Sequence, residues 1–122
     1  MQIQDIDEFL GYLERVRQRT DNVVACITEE CLEWSPGMES FTPGDLVRHI
    51  AGAERWMWAE NVMGRPSRYP GHGPELASGL DAVVEYMQSL HAETVEILQG
   101  LTPEQLQAKC PTVGGIELRT WK

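Results

Sequence analysis

The sequence predicts an all-α protein built as a helical bundle. Three segments of its 122 residues carry apolar side chains at three- and four-residue steps, the spacing of one face of a helix. Stretches containing Gly and Pro separate these segments, and none of them has the alternation typical of strands. The length suits one domain, 1–122, and bundles of long amphipathic helices commonly close around one core with four helices.

Apolar periodicity predicts the first two helices, and a capping box also marks the start of the second. Mostly apolar residues at three- and four-residue steps predict the first helix over 3–31. The second is predicted over 43–63, because Thr42 can be its N-cap, Pro43 suits the first helical position and Asp45 completes a capping box. A glycine and a proline directly after residue 63 end it.

The connection at 64–78 predicts the relative direction of the next helix. Its roughly 15 residues can span about 50 Å when extended, whereas a helix of 22 residues is about 33 Å long. The chain can therefore return along the whole second helix, so that a third helix over 79–100 runs parallel to it. A second capping box predicts a short helix over 103–109. The tail at 112–119 is interpreted as a loop or short extended piece, and 120–122 as the start of another helix.

Charge and cysteine content restrict the class of partner and the compartment. Asp and Glu number 19 against 10 Lys and Arg, which gives a formal net charge of −9. Nucleic acids and anionic membranes require a basic face, so the charge argues against both partners. The N-terminus lacks the basic-then-apolar order of a signal peptide. Three cysteines without a CxxC pair predict reduced thiols in the cytoplasm, with Cys26 and Cys31 as small buried apolar residues.

The second helix carries a motif around one histidine. The segment 46–56, LVRHIAGAERW, resembles the second-helix signature of DinB/YfiT-like proteins, an LvrHiaxaE pattern followed by aromatic residues. The order of the flanking features also agrees with this family. LEWSP at 32–36 precedes the helix, LTPEQL at 101–106 follows the third helix, and a terminal Thr-Trp stands where the lead-in to a fourth helix is expected. The chain is thus similar to the family over essentially its whole length.

This resemblance implies an up-down-down-up four-helix bundle, with the fourth helix truncated in this chain. It also implies a metal-dependent enzyme, because family members commonly bind nickel or zinc through three histidines. One lies at the position of His49, and the other two form an HxxxH pair that this sequence lacks. His49 is therefore expected to point into the bundle or toward the groove left for the fourth helix, and this chain alone is expected to be inactive.

The resemblance further implies the type of reaction and the partners. Characterised relatives include thiol S-transferases, isomerases and hydrolases, so the intact protein is expected to be a transferase or hydrolase acting on a small molecule. A low-molecular-weight thiol is the implied co-substrate, and a homodimer is the implied assembly. The alternative function is a non-catalytic bundle that acts through dimerisation or protein association, which an uncovered apolar groove and the tryptophans of the second helix favour.

Individual residues leave two interpretations open. His49 alone fits either a metal ligand or a core-edge histidine satisfied by a hydrogen bond. His91 is interpreted as a partly buried residue that fills the bundle rather than a group that lines a site, and His72 as an exposed loop residue rather than a ligand. Glu54 is interpreted as a salt-bridged or solvated side chain, with the role of general base as the alternative.

Overall fold

The protein is mostly helical in a computed structural model that describes residues 3–66, 68–112 and 114–122. The long helices are α1 (Ile6–Val24), α2 (Pro43–Trp56) and α3 (Leu80–Gln99). A π-helix (Met57–Val62) continues α2 directly, and a short helix α4 (Pro103–Gln107) follows α3. Residues 1, 2, 67 and 113 belong to predicted segments but lie outside the described ranges.

Two three-residue strands complete the chain. β1 (Lys109–Pro111) pairs antiparallel with β2 (Glu117–Arg119), with Cys110 opposite Leu118. In the described ranges these strands make up a single two-stranded sheet. The described ranges are thus mostly helical, which is compatible with the predicted all-α fold.

Contacts between α2 and α3 give their relative direction. Arg48 in the second turn of α2 donates to the carbonyl of Ala77, just before α3 begins, at 2.9 Å. Arg55 at the end of α2 forms an ion pair with Glu93 in the second half of α3. Partners advance together along both helices, so α2 and α3 run parallel, as the length of the connection predicted.

Helix α1 runs in the opposite direction to the other two. Phe9 near its start belongs to the same apolar cluster as Leu98 near the end of α3. Arg17, two turns later, donates to the carbonyl of Met87 in the middle of α3, at 3.0 Å. The three long helices therefore have the up-down-down order.

The apolar core has two parts, at opposite ends of the bundle. One lies where α1 ends and α2 and α3 begin, and it contains Val24, Leu32, Val47, Ala51, Val83 and Met87. The other lies at the far end, against α4, and it contains Ile3, Phe9, Leu98, Leu101 and Leu106. The capping boxes predicted at Thr42 and Thr102 are both present, which confirms these two helix starts.

The first helix ends earlier than predicted. Its stripe of apolar residues continues to residue 31, but α1 stops at Val24 and the chain continues in turns. Acidic side chains are unfavourable at a helix C-terminus and favourable at an N-terminus. Glu29 accordingly accepts the backbone N–H of Leu80 at the start of α3, at 2.8 Å. Cys26 is exposed and Cys31 is half-buried, so the prediction that both are buried is wrong.

The tail also differs from the prediction. The short helix ends at Gln107 rather than 109, and the next residues form β1. Thr120 donates its backbone N–H to the carbonyl of Ala108 at 2.8 Å, and the N–H of Trp121 reaches the carbonyl of Leu106 at 3.2 Å. These bonds hold residues 120 and 121 in a turn against α4, so the helix predicted to start there does not form in the described range 114–122.

Two helices each keep large apolar side chains exposed on one side. On α1 these are Tyr12, Val16 and Val23, and on the second helix and its π-helical continuation they are Leu46, Ile50 and Met57. The spacings of four and seven residues place each set on one side of its helix. We call these six residues the apolar face.

Candidate functional site around His49

The start of α2 is fixed by local bonds that hold His49 in its second turn. The Thr42 hydroxyl accepts the N–H of Asp45 at 2.9 Å, and the Asp45 carboxylate accepts the N–H of Thr42 at 3.1 Å. The N–H of Gly44 donates to the carbonyl of Leu32 at 2.7 Å, which ties the helix to the preceding turn. The histidine is thereby placed on an element whose first turn cannot fray freely.

Arg48, the residue beside His49, anchors the surrounding loops. Its side chain is 0% exposed, forms an ion pair with Glu33, and lies 3.3 Å from the carboxylate of Asp45. A Cβ at Gly44 would lie 2.9 Å from a carboxylate oxygen of Glu33 and 3.0 Å from Nη1 of Arg48. Glycine at position 44 therefore leaves the room that this pair occupies.

The α2–α3 connection lies against α2 beside the histidine. Arg48 donates to the carbonyl of His72 at 3.5 Å, in addition to its bond with Ala77. Gly52 is buried beneath the connection, and a Cβ there would meet the ring of Pro70 at 3.1 Å. Gly52 thus permits the close approach that brings residues 69–72 next to His49.

His49, Tyr69 and His72 form a hydrogen-bonded cluster, which we call the histidine–tyrosine cluster. His49 Nδ1 lies 2.5 Å from the Tyr69 hydroxyl, and the same hydroxyl lies 3.4 Å from His72 Nδ1. The rings of the two histidines are 6.4 Å apart between centroids. Burial raises the pKa of the Tyr69 phenol above its ordinary value, so the group remains a neutral hydroxyl near neutral pH.

The structure places His49 on the surface rather than in the core. Its side chain is exposed, and it lies between the apolar face, next to Leu46 and Ile50, and the α2–α3 connection. Its role as a metal ligand stays a prediction. The interpretation of His72 as an incidental exposed residue is wrong, because its ring is half-buried, bonded to Tyr69 and packed edge-on against Phe41 at 4.7 Å between centroids.

The cluster fits part of a metal site rather than a whole one. Imidazole nitrogens are suitable ligands for nickel or zinc. Within residues 3–66, 68–112 and 114–122, however, no group of three or more His, Cys, Asp or Glu side chains is arranged to hold a metal ion. The described residues therefore do not form a complete metal site, and we derive no catalytic step from them alone.

The other two candidates lie together in the interior, away from His49. Glu54 accepts from His91 Nδ1 at 2.7 Å and lies 3.5 Å from a guanidinium nitrogen of Arg17, which is only 5% exposed. Arg17 also pairs with Asp21 at 3.1 Å. The interpretations of Glu54 as a salt-bridged residue and of His91 as a partly buried residue are confirmed. This network joins the three long helices.

The tryptophans of α2 and the π-helix divide between core and site. Trp58 packs edge-on against Phe9 in the core, at 5.5 Å between ring centroids. Trp56 lies beside the ring of Tyr69, at 6.1 Å. A cavity of about 180 Å³ lies at the π-helix between Met57 and Cys110 of the hairpin, and it includes no residue of the histidine–tyrosine cluster.

Sequence reasoning missed Arg48, Gly52 and Tyr69 as parts of the site. The signal for the first two was present, since both lie within the motif at 46–56. Tyr69 lies in a connection rich in Gly and Pro, where no periodicity indicates which side chains return to the helix.

These observations define a class of helical bundle, with parallel second and third helices, a long connection between them, and an exposed histidine on the second helix beside that connection. The comparison with protein families identifies the family: the model of the DinB superfamily matches residues 12–120, so the chain belongs to the DinB superfamily. Comparisons with curated proteins and with solved structures found no match. In the described part of the chain, the helices are too short or too polar to cross a membrane.

Proposed function

We propose that the protein acts as a DinB-like metal-dependent enzyme, in which His49 is one of three histidine ligands to a divalent transition metal, nickel or zinc. One observation carries the proposal: His49 is exposed on α2 while its Nδ1 is held by the Tyr69 hydroxyl. Histidines that bind metals usually form such a bond through the nitrogen that does not touch the metal. The nitrogen proposed for the metal is therefore Nε2.

The proposed chemistry is that of a thiol S-transferase or hydrolase acting on a small molecule. A bound metal would lower the pKa of a coordinated thiol or water and supply thiolate or hydroxide at neutral pH. The 122 residues contain three histidines, His49, His72 and His91, and no HxxxH pair. The proposal therefore assigns two further ligands to a fourth helix outside this sequence, and it places the protein in the cytoplasm as a homodimer with no nucleic acid or membrane partner.

Metal analysis of the product of the full-length gene tests the proposal. We expect about one equivalent of nickel or zinc per chain in the wild-type protein, and loss of that metal in His49→Ala. His91→Gln is the matched control, because His91 is bonded to Glu54 within the bundle, and it should retain the metal. Stoichiometric metal in His49→Ala, or none in the wild-type protein, would contradict the proposal.

The apolar face favours a second candidate, a bundle that acts through association. Six large apolar side chains are exposed on α1 and on the second helix with its π-helical continuation, and large exposed apolar patches often mark sites that bind a partner. In this case Ile50→Asp should abolish the dimer in sedimentation experiments, and the wild-type protein should hold no stoichiometric metal. If the protein contains metal and its activity depends on His49, association is excluded as the main function.

A further inference from the structure

The histidine–tyrosine cluster restricts where its protons can lie. A neutral imidazole carries one N–H, at Nδ1 or at Nε2, and a tyrosine hydroxyl donates one hydrogen bond while it can accept others. The Tyr69 oxygen contacts Nδ1 of both His49 and His72. When the hydroxyl hydrogen is used within the cluster, one histidine donates its Nδ1–H to the Tyr69 oxygen, and the other accepts the Tyr69 O–H.

This sharing sets the two histidines in opposite tautomers. The histidine that donates at Nδ1 has a free lone pair at Nε2, whereas the histidine that accepts at Nδ1 carries a hydrogen at Nε2. Within the cluster, only one of the two rings can therefore offer Nε2 as a ligand. The direction in which the Tyr69 hydroxyl donates its hydrogen bond determines which histidine has the free Nε2 lone pair.

The backbone around the cluster keeps this link in place. Arg48 is fully buried and bonds the carbonyls of His72 and Ala77, on both sides of the turn at 74–76 that precedes α3. Pro70 fits against the bare Cα of Gly52, and Tyr69 is brought next to His49 by the same contact. The two loop residues are thus fixed relative to α2 by groups that lie outside the cluster.

We propose that Tyr69 and His72 are positioning residues for His49. In this arrangement His49 donates its Nδ1–H to the Tyr69 oxygen, Tyr69 donates its O–H to His72 Nδ1, and His49 offers the Nε2 lone pair to a divalent transition metal. The direction of the two bonds rests on the proposed function, because a metal at Nε2 requires the hydrogen of His49 to be at Nδ1. That the two histidines have opposite tautomers does not depend on the proposed function.

Long-range ¹H–¹⁵N spectra of the imidazole rings in labelled protein test the proposal without any metal. In the wild-type protein we expect the Nδ1–H tautomer at His49 and the Nε2–H tautomer at His72. Tyr69→Phe keeps the ring that packs near Gly52 but removes the hydroxyl, so His49 should change to mainly Nε2–H. Tyr12→Phe removes a hydroxyl from the exposed side of α1 and should leave both spectra unchanged. The reverse assignment in the wild-type protein, with Nε2–H at His49 and Nδ1–H at His72, would overturn the proposal, as would the same tautomer at both histidines or an unchanged His49 in Tyr69→Phe.

The affinity for Ni²⁺ gives a second readout in the full-length protein. Loss of a partner that orients a metal-binding histidine typically costs 10- to 100-fold in affinity, so we expect about this decrease in Tyr69→Phe and a smaller one in His72→Ala. Ni²⁺ bound equally well by Tyr69→Phe, together with loss of metal in His49→Ala, would overturn this inference and leave the proposed function intact. Metal that stays in His49→Ala would instead overturn the proposed function.

Discussion

Replacement of Arg48 by methionine is the sharpest test of how the site is held together. Methionine fills much of the same volume but cannot pair with Glu33 and Asp45 or bond the carbonyl of Ala77. Removal of one partner from a buried ion pair costs about 3–5 kcal/mol. Glu33 is 44% exposed and regains hydration, so we expect a smaller loss of roughly 2–4 kcal/mol in the free energy of unfolding.

Urea unfolding followed by tryptophan fluorescence measures this loss. For a denaturant slope of about 1.5 kcal/mol per molar, the expected loss lowers the midpoint by roughly 2 M. Arg19→Met is the matched control, because Arg19 is exposed on α1. Its free energy of unfolding should change by no more than about 0.5 kcal/mol. Equal midpoints for the Arg48 and Arg19 variants would refute the role of Arg48 as an anchor.

Trypsin gives a local readout of the same variant. Arg68 is exposed in the α2–α3 connection, whereas Arg65 precedes a proline and resists trypsin. Cleavage in native conditions tracks the population of open states. If Arg48→Met lowers the free energy of opening by about 1.4 kcal/mol, cleavage after Arg68 should be about tenfold faster. A rate equal to that of the wild-type protein would show that the connection is held by other contacts.

Two further predictions concern residues outside the histidine–tyrosine cluster. Glu54→Gln removes the carboxylate beside the buried guanidinium of Arg17, and it should lower the free energy of unfolding by about 2 kcal/mol in urea, with an unchanged value contradicting the network. Hydrogen bonds from Thr28, through its side chain and then its backbone, lower the pKa of the Cys31 thiol. Because a lower pKa yields thiolate at lower pH, the rate of alkylation at Cys31 should rise at a lower pH than in an unstructured cysteine peptide. Coincident pH profiles from peptide mass spectrometry would contradict this.

Local signals in the sequence predicted the helix starts well. The capping boxes at Thr42 and Thr102 form as expected because each depends on residues only three positions apart. The parallel direction of α2 and α3 agrees with the length of the connection, which is long enough to return along the whole of α2. The end of α1 was not predictable, because Glu29 bonds the start of α3, 51 residues away.

The site itself depended on contacts that no short pattern reveals. An arginine is expected at the surface, and only the fold brings Glu33 and Ala77 around Arg48. Tyr69 and His72 lie in a connection without periodicity, so their position beside His49 follows from the tertiary structure. The π-helix at 57–62 was predicted as part of an α-helix, because both have similar apolar patterns and differ in their hydrogen-bond register.

The central proposal is that His49 is one of the histidines that bind the metal in this DinB protein. Paramagnetic Ni²⁺ added in small portions to the labelled full-length protein tests it directly, because ring signals close to the bound ion broaden first. We predict that the His49 ring broadens at the lowest Ni²⁺ concentration, and that the His91 ring, bonded to Glu54 inside the bundle, is affected last. Broadening of His91 before His49, or equal broadening of His49, His72 and His91, would contradict the account.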